Sequence, residues 1–121
     1  MAESQTESPD IDLLRKVYAA FNGGEIDRVL ATLHPDVDWP NAWEGGRVHG
    51  RAKVGEYWER QFKEIRSQVE PQAFRTEKDG RIAIQVHQIV HDKTGKLLAD
   101  RIVEHVYEIQ DGLIRTMEVR S

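Results

Sequence analysis

The apolar residues of this chain change their spacing once, and that change divides it into a helical part and a sheet part. In the first half they recur every three or four positions. The sets are Leu13, Leu14, Val17, Tyr18 and Phe21, then Ile26, Val29, Leu30 and Leu33, then Val54, Tyr57, Trp58, Phe62 and Ile65. This period puts each set on one face of a helix. From Val69 onward the residues suit strands, over about 69–77, 81–91, 97–109 and 113–120. Lys78-Asp79-Gly80 turns the chain after the first of these. Lys93-Thr94-Gly95 and Gln110-Asp111-Gly112 suit three-residue hairpins with glycine in the left-handed position.

Local signals bound the helices. Ser8 or Asp10 can cap the first, with Pro9 in its first turn, and Asn22-Gly23-Gly24 stops it. His34-Pro35 ends the second, because a residue before proline is pushed out of the helical region. Val37, Trp39 and Asn41 alternate with Asp38 and Pro40, as in a short edge strand. Residues 41–50, with three glycines, read as a loop, and a third helix follows over about 51–66. Helices first and an antiparallel meander afterwards predict an α+β fold, with three helices on one face of the sheet.

The whole fits one domain of 121 residues, spanning 9–121 behind a disordered tail at 1–8. With no cysteine, disulfides and thiolate metal sites are excluded. No apolar run approaches the length of a membrane span, and the polar, acidic start MAESQTESPD lacks the features of a signal peptide, so a cytoplasmic location is expected. A net charge of −4, with Lys and Arg scattered, argues against a nucleic-acid partner. His87 and His91 lie four residues apart, which on a strand is about 13 Å, so no metal is expected. The glycines build no phosphate cradle and the serines sit in no nucleophile elbow, and no cofactor is implied.

The hairpins suggest a register. Pairing Asp92 with Lys96 sets His87 opposite Arg101, Gln85 opposite Val103 and Ala83 opposite His105. Pairing Ile109 with Leu113 sets His105 opposite Met117 and Val103 opposite Val119. One face then holds Ala83, Gln85, His87, Ile89, Val103, His105, Tyr107, Met117 and Val119. The other holds Ile82, Ile84, Val86, Val90, Leu98, Ile102 and Val106, with Glu104 and Glu108 between them. The mixed face is assigned to the helices, because polar groups among apolar ones are what a ligand pocket needs. A slip of one residue in either hairpin exchanges the faces. The greasier face then calls for a partner, and a homodimer through Ile84, Val86, Ile102 and Val106 would bury it.

The element order, with the segments VYAAFNGGEIDRVLATLHPDVDW, GRVHGRAKVGEYW and HVYEIQDGLI, resembles the nuclear transport factor 2-like superfamily, specifically its SnoaL-like and ketosteroid-isomerase-like members. The resemblance covers about residues 11–120 and implies a cone: a strongly curved, mainly antiparallel sheet wrapped over three helices, with a pocket at the wide end. Carried over by position, the ketosteroid isomerase oxyanion-hole tyrosine falls on Val17 and its aspartate base on Asn41. Its protonated aspartate falls on His105, or on Glu104 without a gap in the last hairpin, and a third-helix tyrosine falls on Trp58. Two carboxyls of contrasting pKa carry that chemistry, so steroid isomerisation is not expected of this chain.

His105 is the best acid–base candidate, since imidazole titrates near neutrality. Asn41 could orient a substrate oxygen beside it. Trp39, Tyr57, Trp58, Phe62, Gln85, His87, Val103, Tyr107 and Met117 would line the pocket, while Trp43 reads as ordinary core. The resulting expectation is a small-molecule pocket protein, a cofactor-free isomerase, cyclase or hydratase acting on a small apolar substrate. A binding module without chemistry and a dimeric protein-interaction domain stand beside it.

Overall fold

A computed structural model describes residues 8–41 and 45–120. Helix α1 spans Pro9–Asn22, and its N-cap is Ser8, whose hydroxyl accepts from the Ile11 amide at 3.2 Å. Asn22 then clamps the helix to the sheet through both amide atoms, donating to the Val69 carbonyl at 2.7 Å and accepting from its N–H at 2.9 Å. Helix α2 spans Ile26–Leu30 and α3 spans Arg51–Glu64. The strands are β1 (Leu33–Pro40), β2 (Arg47–His49), β3 (Ile65–Thr76), β4 (Ile82–Asp92), β5 (Leu97–Gln110) and β6 (Leu113–Arg120). They form one sheet in the order β2-β1-β6-β5-β4-β3, antiparallel except between β1 and β6. The α+β architecture with three helices follows the sequence patterning. No helix among the described residues is long and apolar enough to cross a membrane.

Three strand boundaries depart from expectation. β1 begins at Leu33, so His34-Pro35 lies within a strand rather than merely closing α2. Its neighbours are β2 and β6, and the edge is β2, drawn from the segment read as loop. Arg47 secures that edge, donating to the Asp38 carboxylate at 2.9 Å and, across β1, to the Met117 carbonyl at 2.7 Å. Ile65 continues the helical spacing of α3 but adopts extended backbone, with φ −137° and ψ 162°, and β3 starts there without a linker. Residues 1–7, most of the expected tail, and Trp43 lie outside the described residues.

The register corrects the face assignment. Asp92 and Lys96 do meet at the hairpin, the Asp92 amide donating to the Lys96 carbonyl at 2.9 Å. A bulge between Val90 and His91 then adds a residue on β5. Beyond it His105 faces Ile84 rather than Ala83, and Val103 faces Val86 rather than Gln85. One inserted residue turns every β4 side chain to the opposite face. The last hairpin is also shorter than expected. Gln110 pairs with Leu113 around a two-residue turn in which Asp111 (φ 56°) and Gly112 (φ 76°) are both left-handed. A second bulge, between Glu108 and Ile109, leaves His105 opposite Val119 and Tyr107 opposite Met117. The two shifts sum to two residues, so β6 keeps its expected face.

The helices therefore cover Ile82, Ile84, Val86, Val103, Tyr107 and Met117, which pack with Leu14, Val17, Val54 and Trp58 in one core, and the buried His105 shares their face. Gln85 and His87 are on the outer face. The dimer surface drawn through Ile84, Val86, Ile102 and Val106 is broken up by the same shift. Ile84 and Val86 are fully buried in the core, while Ile102 remains 51% exposed. Val106 is on the outer face yet only 1% exposed, in a region of ion pairs. There Arg75 meets Glu77 and Glu104 at 3.0 Å each, and Arg120 meets Glu77 at 2.9 Å and Glu104 at 3.3 Å.

Candidate functional site

Between the helices and the inner face of the sheet lies a cavity of about 90 Å³. It is smaller than the roughly 150 Å³ that accommodates benzene in an engineered apolar core. α1 supplies Val17, Tyr18 and Phe21 to its wall, α3 supplies Tyr57, Trp58 and Gln61, and β1 supplies Trp39 and Pro40. His105, Tyr107, Met117 and Val119 come from the paired rows of β5 and β6, and Ser67, Val69 and Gln88 from β3 and β4. No Asp, Glu, Lys or Arg is among the lining residues.

Aromatic rings stiffen this wall. Trp39 and Trp58 meet edge to face with centroids 5.3 Å apart, and Phe21 meets Trp58 in the same way at 5.8 Å. Such contacts hold large side chains in single orientations.

At one end three side chains form a hydrogen-bond chain. The Tyr107 hydroxyl donates to the Tyr18 hydroxyl at 2.8 Å, and the Tyr18 oxygen lies 2.8 Å from His105 Nδ1. Burial pushes the His105 pKa down from 6.5 to about 4, so the imidazole is neutral at pH 7. Burial raises both tyrosines, that of Tyr18 reinforced by Tyr107 beside it, so the hydroxyls keep their protons. Since Tyr107 donates to Tyr18, the Tyr18 proton is directed to Nδ1. We therefore assign the imidazole proton to Nε2. Nε2 has no hydrogen-bond partner among the described residues, and no sealed side-chain N or O atom among them lacks one, so the Nε2–H opens on the cavity.

Of the residues named from sequence, His105, Trp39, Tyr57, Trp58, Tyr107 and Met117 meet around this cavity. Val103 is buried in the adjoining core. Phe62 stacks edge to face on Phe21 at 5.4 Å and borders a neighbouring groove. Gln85 and His87 point away on the outer face, for the register reason given above. Gln85 donates to Gln72 at 3.3 Å, and His87 Nε2 lies 2.6 Å from the Asp100 carboxylate. Asn41 is buried but is not among the lining residues, and its backbone shapes the turn after β1 by pairing with Gly45 and Gly46. Glu104 belongs to the outer ion pairs.

Tyr18, Gln61, Ser67 and Gln88 were not singled out as site residues. Tyr18 stood in the inner stripe of α1, one position beyond Val17, where the resemblance had placed a lost hydroxyl. Gln61 follows Tyr57 by four and Trp58 by three, so a polar residue on an apolar stripe was the available signal. Ser67 offers the same signal at strand period, between Ile65 and Val69.

A model of the SnoaL-like domain matches residues 14–117. No functionally curated protein matches the chain significantly. Among solved structures, an NTF2-like protein of unknown function from Burkholderia pseudomallei is similar, with 26% identity, 94% of this chain and 91% of that one covered, and a TM-score of 0.82. TerC, co-crystallised with polyporic acid, shares 25% identity over 93% of this chain and 90% of its own, with a TM-score of 0.80. A Mycobacterium tuberculosis protein in complex with estradiol-17beta-hemisuccinate shares the fold, at 17% identity, 93% coverage of each chain and a TM-score of 0.81. With its family model spanning most of its length and this cone-shaped fold recurring among its structural neighbours, the chain belongs to the SnoaL-like domain family of the NTF2-like superfamily.

Proposed function

We propose that this protein binds one small, uncharged, mainly apolar carbonyl compound in the cavity, with the carbonyl oxygen accepting from His105 Nε2–H. The observation that carries this reading is the neutral imidazole, backed by Tyr18 and Tyr107, presenting an unpaired N–H to a cavity lined without charge. A neutral imidazole donor polarises a carbonyl without the desolvation cost of a buried cation. The co-crystal of TerC with polyporic acid supports a small-molecule occupant. Isomerase, cyclase or hydratase chemistry here would rest on His105, Tyr18 and Tyr107, because the lining residues include no carboxylate base.

Butanone, an apolar ketone small enough for a cavity of about 90 Å³, tests the reading. Its titration is expected to quench the fluorescence of Trp39 and Trp58. His105→Phe, which removes the donor, is expected to weaken binding about tenfold, the consequence of leaving a buried carbonyl unpaired. Quenching unchanged by that substitution would rule out the assigned role of His105.

A second reading concerns the outer face, where Leu97, Leu98 and Ile102 are about half exposed. Self-association over this surface would centre on Ile102. Light scattering at micromolar concentration is expected to give a dimer, and Ile102→Glu a monomer with little change in melting temperature. A wild-type monomer would dismiss it.

A further inference from the structure

We infer that Phe21 sets the length of the ligand: its ring closes the cavity on one side, so the site takes a short carbonyl compound and excludes longer members of the same series. This rests on the carbonyl reading of the same cavity. The cavity that His105 lines borders a groove of about 260 Å³, which runs past Gly23, Gly24, Phe62 and Ile65. Among the described residues two border both spaces, Phe21 from α1 and Ser67 from β3. A hydroxymethyl group is too small to part them, so the partition is the Phe21 ring.

The ring contacts agree. On the cavity side Phe21 meets Trp58 edge to face with centroids 5.8 Å apart, and on the groove side it meets Phe62 in the same way at 5.4 Å. Trp58 is buried, whereas Phe21 and Phe62 are only partly so. Phe21 therefore stands where the core gives way to the open groove.

The backbone beneath the ring is fixed separately. Phe21 is the last residue but one of α1, and its neighbour Asn22 ties that end of the helix to Val69 at 2.7 and 2.9 Å. Shortening the Phe21 side chain thus removes the partition without releasing the helix. Cavity and groove would then join, and an alkyl chain too long for about 90 Å³ would lie against Phe62 and Ile65. Each methylene taken out of water in this way strengthens binding about fourfold.

The experiment compares butanone with 2-octanone, a methyl ketone with a longer alkyl chain, by isothermal titration calorimetry on the whole chain. Wild type is expected to bind 2-octanone about tenfold more weakly than butanone, and Phe21→Ala to bind it about tenfold more tightly than butanone. Phe21→Leu, which keeps an apolar side chain on α1, guards against loss of the fold and should raise 2-octanone affinity at least about threefold over wild type. Phe62→Ala thins the groove wall but leaves the partition, and should keep the wild-type order. A wild type that prefers 2-octanone, an order unchanged in the folded Phe21 variants, or the same reversal in Phe62→Ala overturns the inference, and the carbonyl reading stands as long as butanone binds. Failure of wild type to bind butanone overturns the two together.

Discussion

Lowering the pH from 6.5 to 4 is expected to cost this protein roughly 3 kcal/mol of stability through His105 alone, since its pKa falls by that interval on folding. The sign follows from where the protons go. Above 6.5 neither the folded nor the unfolded imidazole is charged, and the folded state has its full stability. Between 6.5 and about 4 the unfolded chain takes up a proton that the buried ring refuses, so unfolding is favoured progressively. Below about 4 both states are protonated and the loss levels off. Glu77 is also held below the usual carboxylate range, by Arg120 first and Arg75 second. Its contribution disappears at lower pH, below the ordinary carboxylate value. Urea denaturation at a series of pH values separates the two. His105→Gln, whose amide oxygen can still accept from Tyr18, should flatten the profile between 4 and 6.5 and leave the acid limb in place. Superimposable profiles for wild type and variant would contradict the burial of a neutral His105.

The second large effect tests the sheet register. Ile84→Lys is expected to cost at least about 4 kcal/mol or to prevent folding, because it drives a charge into a fully buried core position. Gln85→Lys, one residue on, should change stability by no more than about 0.5 kcal/mol, since its side chain is on the outer face opposite Glu104. Thermal melts followed by circular dichroism decide between the registers. Without the bulge at Val90 the two tolerances would be exchanged.

That bulge also marks the limit of what the sequence made legible. The three helices, the long strands and the hairpin sites followed from hydrophobic period and from Gly and Asp at the turns, because those signals are local. His105, Tyr107 and Met117 were placed inward correctly. Gln85 and His87 were not, although they belong to the same sheet. Nothing in HDKTGKLLADR announces that Leu98 is an extra residue in its ladder, and a bulge is decided by how two strands twist together. β2 was missed for a related reason. Its three residues, Arg47–His49, carry no alternating pattern of their own and are held by pairing with β1. Tyr18 was visible as a stripe residue, but its hydrogen bond to His105 joins positions 87 apart in the chain.

The parallel pairing of β1 with β6 has a consequence for the order in which the molecule can be made. β6 is an interior strand, between β1 and β5, and it is the last of the described strands to be synthesised. Until residues 113–120 have left the ribosome, β1 and β2 can pair only with each other and pack only on the helices, and the side of β1 that β6 later fills stays unpaired. At ordinary translation rates the wait is on the order of ten seconds. During it Trp39 and Val37 lack the floor that Met117 and Tyr107 later provide. The β3–β4–β5 meander can pair as it emerges, but the ligand cavity, which needs β1 and β6 on one side and both long helices on the other, can close only after synthesis has passed the final strand.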